Sequence, residues 1–228
     1  MAKRFQPKTE AADENVFWTT MSDMFLGLMM VFMTLFIFSM TGFTQVKVQS
    51  QKMQSEVAKG LSEKLKEQNV SAEVDTLTGQ VKISDLDLFD VGSYQLSENG
   101  KQYLDKFIPI YIDTIFSNPK LSEKIITISI QGHTDSQTFK NATTPEQQYI
   151  KNMQLSLNRA NAVEEHMFKT NYNREYNKQL LNKLIVEGKG STEPILVNGK
   201  EDFAKSRRVE LKLTVKELDG IQDLFLKK

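Results

Sequence analysis

Cysteine is absent from this chain of 228 residues. Its absence excludes a disulfide framework and any metal site built on thiolates. It permits an oxidising compartment but does not demand one. Histidine is scarce, with His133 and His166 far apart, and no serine or carboxylate pattern typical of a hydrolase surrounds either. We therefore expect both histidines to be structural, and we predict neither enzymatic activity nor a cofactor or metal.

Charge of one sign is not in excess either, because 29 lysine and arginine residues balance 29 aspartate and glutamate residues. Nothing in this balance indicates nucleic-acid binding. There is no internal repeat, low-complexity tract or phosphate-binding loop.

One long apolar run dominates the N-terminal part of the chain. The 27 residues from Val16 to Gly42 read VFWTTMSDMFLGLMMVFMTLFIFSMTG. About 20 apolar residues in a helix span a bilayer, so the run predicts a transmembrane helix. It exceeds a signal-peptide core and no small-residue cleavage site follows, which favours an uncleaved anchor. The basic residues Lys3, Arg4 and Lys8 weakly favour a cytoplasmic N-terminus.

Asp23 is the one ionisable residue in this run. A carboxylate at membrane depth is costly unless it faces protein or water, so it is a candidate ion carrier. The alternative is a helix cap at the membrane interface, although the apolar residues Val16 to Trp18 precede it. Thr20 could either ligate Na⁺ beside it or bond the helix backbone.

Small and polar residues form a seam along the same helix. Thr20, Gly27, Thr34 and Thr41 are spaced by seven, and Asp23 falls on the same face. A seam of this kind is typical of a surface that packs against another helix. Chance placement is the alternative, because such helices tolerate threonine and glycine.

Beyond the apolar run, the residues Met53, Val57, Leu61 and Leu65 recur every four positions. This narrow stripe predicts a juxtamembrane helix. The stripe suits packing on the helix's own domain, pairing with its copy, or a position at the membrane, and the pattern does not separate these. The predicted organisation is a tail, a membrane helix, a linker helix, a domain and a second tail, at 1–15, 16–42, 43–69, 70–216 and 217–228.

The remaining sequence has an α+β pattern. Strands and helices that cover one face of a small mixed sheet fit its order. A Thr144-Pro145 start with Gln147 behind it resembles a capping box. The predicted strands are 70–75, 80–84, 124–132, 184–187 and 209–215, and the predicted helices are 97–117, one from about 145 through 169, and 174–183.

Five motifs in order carry a resemblance to a known family. They are LFDVGSYQLSENG (88–100), GHTDS (132–136), NMQLSLNRANAV (152–163), GKGSTEPI (188–195) and SRRVEL (206–211). Together they resemble the OmpA-like peptidoglycan-binding domain, over residues 70–216. Ser206 departs from the asparagine frequent in the family, and the loop from Asp135 to Asn152 is long.

The resemblance implies a site for the zwitterionic diaminopimelate of the wall's stem peptide. Asp135 would bind the ligand amine, and the Arg159 guanidinium would form bidentate hydrogen bonds to the ligand carboxylate. Asn152 and Leu155 would line the groove, and Arg208 would support its rim.

Two points of this site stay open at the level of sequence. Either Arg207 or Arg208 could be the arginine that faces it. Asp135 and Arg159 could also simply pair with each other.

The order of apolar helix, linker and OmpA-like domain resembles the B subunit of flagellar stator units. The helix sequence SDMFLGLMMVFMTLFIF is more similar to the B subunit of Zorya anti-phage defence systems. This resemblance implies that Asp23 carries the ion, with Thr20 and Gly27 beside its path. An aspartate serves both H⁺ and Na⁺ systems, and we favour H⁺ with Na⁺ as the alternative.

The same resemblance implies a homodimer enclosed by a ring of a multi-helix membrane subunit. The chain would cross the bacterial inner membrane once, with its C-terminal domain in the periplasm and bound to peptidoglycan. The alternatives are a flagellar stator subunit that powers motility and a passive OmpA-like anchor. The second would have a barrel or a lipidated cysteine, and the sequence has neither.

Overall fold

The computed structural model describes residues 10–90 and 92–216, and within them the side chains of 10–15, 42–50 and Lys120 are not described. The predicted tail 217–228 and most of the tail 1–15 lie outside the described residues. Two compact units divide the chain, one of Met1–Val48 with Leu218–Lys228 and one of Gln49–Glu217. Each is considered by itself.

The first unit contains the apolar part of helix α1, which runs from Glu10 to Glu67. Within it, the 26 residues Val16–Thr41 have a mean hydropathy of 2.1, and none of them is buried. This segment is long and apolar enough to cross a membrane. The predicted span 16–42 agrees with it to within one residue.

In the second unit, the last turns of α1 are part of the hydrophobic core. Val57, Leu61 and Leu65 are buried in one cluster with the sheet and with the later helices, and Met53 packs against it. Lys64 adds an ion pair to Asp113, with 3.0 Å between Nζ and Oδ2. The sequence left open whether this stripe packs on its own domain, pairs with its copy or lies at the membrane. In the structure it packs on its own domain.

A five-stranded mixed sheet forms the centre of this unit, in the order β1-β2-β7-β3-β4. Strands β3 and β4 are parallel, and the other neighbours are antiparallel. The separate hairpin β5–β6 was not predicted, because its two-residue strands are too short to show an alternating pattern. The strands are β1 Glu73–Val74, β2 Val81–Ser84, β3 Ile125–His133, β4 Leu184–Gly190, β5 Leu196–Val197, β6 Lys200–Glu201 and β7 Arg208–Val215.

The helices agree with the α+β prediction. The two long ones, α3 and α5, both begin at a capped residue. Ser97 accepts a hydrogen bond from the Gly100 amide, and Thr144 accepts one from the Gln147 amide. The return bond differs from the predicted capping box, because the Gln147 side chain accepts from the amide of Thr143 at 2.9 Å. The helices after α1 are α2 Asp85–Leu88, α3 Glu98–Phe116, α4 Pro119–Ser122, α5 Pro145–Lys169, the 3₁₀ turn Arg174–Tyr176, α6 Asn177–Lys183 and α7 Phe203–Ser206.

Helix α5 lies unusually close to the sheet because two facing strand positions are glycine. Gly132 and Gly188 are register partners in β3 and β4. A Cβ at Gly132 would lie 1.9 Å from the Ser156 carbonyl oxygen, and one at Gly188 would lie 2.9 Å from the Leu157 Cβ. The two glycines therefore allow α5 to pack directly on the sheet, and the α5 residues Asn152 and Arg159 are buried.

Candidate functional site

Asp23 and its neighbours occupy an exposed stretch of α1 in the single chain. The Thr20 hydroxyl donates to the Val16 carbonyl oxygen at 2.7 Å, and its oxygen lone pairs stay available, so ligation of Na⁺ remains an alternative. Thr34 and Thr41 bond the backbone in the same way. A Cβ at Gly27 would meet nothing within 4 Å. Among the described residues, the seam is exposed and its threonine hydroxyls bond the backbone of their own helix.

A second group of polar residues lies at the end of β3, where Asp135 forms an ion pair with Arg207. The Asp135 side chain keeps 11% of its surface exposed and Arg207 keeps 27%. Asp135 also accepts a hydrogen bond from the Gln137 amide at 3.3 Å. Asp135 is nearly buried, so this pair reaches solvent mainly through Arg207, and it carries both signs of charge.

Arg159 lies deeper and pairs with Asp85, a residue that the sequence analysis missed. The Arg159 Nη2 is 3.0 Å from the Asp85 Oδ2, and the two side chains are only 2% and 4% exposed. Arg159 Nε donates to the Ser93 carbonyl oxygen at 3.0 Å, and the guanidinium carbon lies 5.4 Å from the centre of the Phe89 ring. Arg159 therefore does not pair with Asp135, which was the alternative left open.

Burial shifts the pKa of both members of this inner pair against their charged forms. It raises the pKa of Asp85 to about 6, although the cations Arg159 and Arg207 act in the opposite direction. It also lowers the pKa of Arg159, with Asp85 as the main opposing charge. Desolvation thus outweighs attraction in both partners, as is common for buried ion pairs.

Several buried polar atoms around the two pairs lack a hydrogen-bond partner among the described residues. Unpaired buried polar atoms are costly, so a cluster of them is unusual unless a ligand or water completes it. Their presence marks this end of the sheet as the best-supported ligand site. The atoms are Asp85 Oδ1, Arg159 Nη1, Thr134 Oγ1 and Asn152 Nδ2.

Arg208 bonds Glu210 and the backbone rather than Asp135. Its Nε lies 2.5 Å from the Glu210 Oε1, and its Nη1 donates to the Ser206 carbonyl oxygen at 3.0 Å. Of the two arginines left open by the sequence, Arg207 is the one that pairs with Asp135. The role of Arg208 in supporting the rim stays a prediction.

Glu210 links Arg208 to the buried His133, whose Nε2 is 3.5 Å from the Glu210 Oε2. Burial alone would raise the pKa of Glu210, but the contacts with His133 and Arg208 lower it to about 2. His166 lies elsewhere, with Nε2 2.9 Å from the Asp105 Oδ1. Among the described residues no group of three or more histidine or acidic side chains is arranged to hold a metal.

The remaining predicted residues lie on α5. Asn152 is 2% exposed and Leu155 is half-buried. Between them and Arg159, the Ser156 hydroxyl accepts a hydrogen bond from the Gly190 amide at 2.9 Å, which holds the helix to the end of β4. Their roles in binding stay predictions.

Comparison with known proteins gives the family. Residues 88–208 match the model of the OmpA family. The Zorya protein ZorB of Escherichia coli Crooks is 32% identical over 91% of this chain and 90% of its own length. The Zorya protein ZorB of E. coli O139:H28 is 25% identical over 92% and 83%.

A solved structure supports the fold. A protein of Desulfovibrio vulgaris described as MotB-like superposes with a TM-score of 0.52 at 18% identity, covering 74% of this chain and 98% of that one. At that identity the likeness concerns the fold alone. With a relative of 32% identity along almost the whole length and an OmpA match over more than half of it, the chain belongs to the ZorB family and carries an OmpA-family domain.

Proposed function

We propose that this chain is the wall-anchored B subunit of an ion-driven motor in the bacterial inner membrane that acts in anti-phage defence. The observation that carries the proposal is the match to ZorB, which extends over both the Asp23 helix and the OmpA-family domain. The same match favours defence over flagellar motility. A passive anchor would not need a carboxylate within an apolar span.

The wall-binding half of the proposal rests on the ion pair of Asp135 and Arg207. The Asp135 carboxylate takes the amine of a diaminopimelate group, and Arg207 takes its carboxylate. Arg159 supports that carboxylate from below, because its Nη1 is still free for a bond. Asn152 and Leu155 line the same groove.

In the membrane half, Asp23 takes up and releases the coupling ion, H⁺ in our proposal and Na⁺ as the alternative. A lone helix cannot shield a carboxylate at that depth, so the seam of Thr20, Gly27, Thr34 and Thr41 must pack against protein. We propose a dimer of this chain inside a ring of a separate multi-helix membrane subunit. The N-terminus is cytoplasmic and the OmpA-family domain is periplasmic, where it holds the dimer to the wall.

The test replaces Asp23 with asparagine in cells that carry the complete defence system. Asp23→Asn keeps the shape and removes the charge, so we expect normal protein levels and loss of protection in phage plating. Leu28→Ile on the same helix serves as the control and should protect. Full protection by Asp23→Asn would refute the ion-carrier role, and a loss of swimming without a change in plating would favour the flagellar alternative.

A further inference from the structure

A second groove lies beside the proposed wall-binding site, between the segment that precedes α3 and the outer face of α5. It encloses about 470 Å³, which is within the usual range for a small-molecule site. One side of the groove is lined by Tyr94, Gln95, Leu96 and Lys101, and the other side is lined by Asn158, Asn161, Ala162, Glu165, His166 and Lys169.

The groove presents an aromatic ring and free amide groups. Tyr94 is 49% exposed. The side chains of Gln95, Asn158 and Asn161 make no hydrogen bond to any other described residue, so their donors and acceptors are open to a ligand. An exposed ring with amides around it suits a ligand that has flat apolar faces and many hydroxyl or acetamido groups.

The charged residues of the groove are matched within the protein. Lys101 pairs with Glu98 at 2.5 Å, and Lys169 pairs with Glu165 at 3.8 Å. His166 contacts Asp105. The groove therefore has no surplus charge to attract an anion, and its chemistry favours a neutral polar ligand such as a sugar.

The groove adjoins the wall-binding site along the chain. The carbonyl of Ser93 accepts the bond from Arg159, and Tyr94 is the next residue. On α5, Asn158 in the groove lies six positions after Asn152 in the site, or about 9 Å along the helix at 1.5 Å per residue. In peptidoglycan two amino acids separate diaminopimelate from the sugar, and fully extended they span at most about 7 Å, which is of the same order as this separation.

We infer that this groove is a glycan subsite, which binds the amino sugars to which the stem peptide is attached. The inference rests on the proposed wall binding and adds to it a second element of recognition. Tyr94 stacks on a sugar ring, and the amides of Asn158 and Asn161 bond its hydroxyl and acetamido groups.

The experiment compares two probes by calorimetry on the full chain in detergent, a disaccharide tripeptide that ends in diaminopimelate and the same tripeptide without sugar. Wild type should bind the disaccharide form about tenfold more tightly, which corresponds to about 1.4 kcal/mol. Tyr94→Ala should abolish this difference and leave tripeptide affinity unchanged. Asn161→Ala is a second variant that reduces the difference if Tyr94→Ala does not fold.

Tyr149→Ala is the matched control, because Tyr149 is 54% exposed on α5 and lies outside the groove. It should keep the full preference for the disaccharide form. Equal affinity of wild type for both probes would overturn the glycan subsite and leave wall binding intact. Failure of both probes to bind would overturn the proposed wall binding itself and this inference with it.

Discussion

Arg207 and Arg159 each pair with one aspartate, but at different depths below the surface. Arg207 is 27% exposed at its side chain, whereas Arg159 is 2% exposed. A ligand approaching from solvent therefore meets Arg207 and Asp135 before it meets Arg159 and Asp85. The two arginines are of the same residue type, so it is their difference in exposure that distinguishes the outer pair from the inner one.

We expect Arg207→Gln to weaken binding of the full chain to purified sacculi. A charge-assisted hydrogen bond contributes about 1.5–3 kcal/mol, so the loss should be about tenfold or more. A sedimentation assay in detergent measures it. Lys212→Gln, which removes a positive charge from an exposed position on β7, is the control. Equal sedimentation of Arg207→Gln and wild type would exclude Arg207 from the site.

Asp85 should make the stability of the domain depend on pH. Its pKa of about 6 lies above the ordinary value of 3.8, so protonation favours the folded state. The resulting stabilisation is complete below about pH 4 and is lost as the pH rises through 6. The pKa of Asp85 is raised by roughly 2, so the loss of folding free energy is on the order of 2–3 kcal/mol.

Thermal unfolding of wild type and Asp85→Asn between pH 4.5 and 7.5 tests this expectation. Asparagine resembles the protonated acid, so the stability of wild type relative to the variant should fall across that range. Asp87 is an exposed residue of the same short helix, so the stability of Asp87→Asn should change with pH in the same way as that of wild type. A constant difference between wild type and Asp85→Asn at all pH values would contradict the raised pKa.

At the scale of elements, the contact between α5 and the sheet depends on glycine. We expect Gly132→Ala to lower the free energy of unfolding by several kcal/mol, since a Cβ there would lie 1.9 Å from a backbone oxygen and α5 would have to shift. Chemical denaturation measures the change. Gly60→Ala in α1 has open space around it and should be neutral or stabilising by about 0.5–1 kcal/mol. Similar effects of the two substitutions would rule out the close contact.

The membrane helix offers a second prediction at this scale. Gly27→Leu should prevent co-purification with the proposed multi-helix partner, because a large side chain would fill the seam through which we propose that the helix packs. A Cβ at Gly27 meets no atom within 4 Å in the single chain, so we expect the effect of the substitution to report on assembly. Leu28→Ile should co-purify normally. Recovery of Gly27→Leu with the partner at the wild-type level would contradict the seam.

At the scale of the whole molecule, the two compact units carry different chemistry. In the unit that contains Asp23, the described span Val16–Thr41 is apolar and none of it is buried, whereas the unit from Gln49 to Glu217 has a closed core and a polar site at one end of its sheet. Replacing Asp23 should therefore leave sacculus binding intact, and replacing Arg207 should leave membrane assembly intact.

The sequence by itself determined the membrane span, the α+β class, the long helices with their capping residues, and the family. Each of these depends on local chemistry: a run of apolar residues, a period of two or 3.6, or a motif in a fixed order. The same local reasoning identified Asp135 and Arg159 as candidates, since each lies within a motif.

Only the tertiary structure decided which charged residues meet. Asp85 pairs with Arg159 across 74 positions of the chain, and Arg207 reaches Asp135 across 72. The stripe of Val57, Leu61 and Leu65 likewise packs on a core made by later segments. Contacts between distant segments depend on how the sheet and helices assemble, and no local pattern encodes the depth at which a charge is buried.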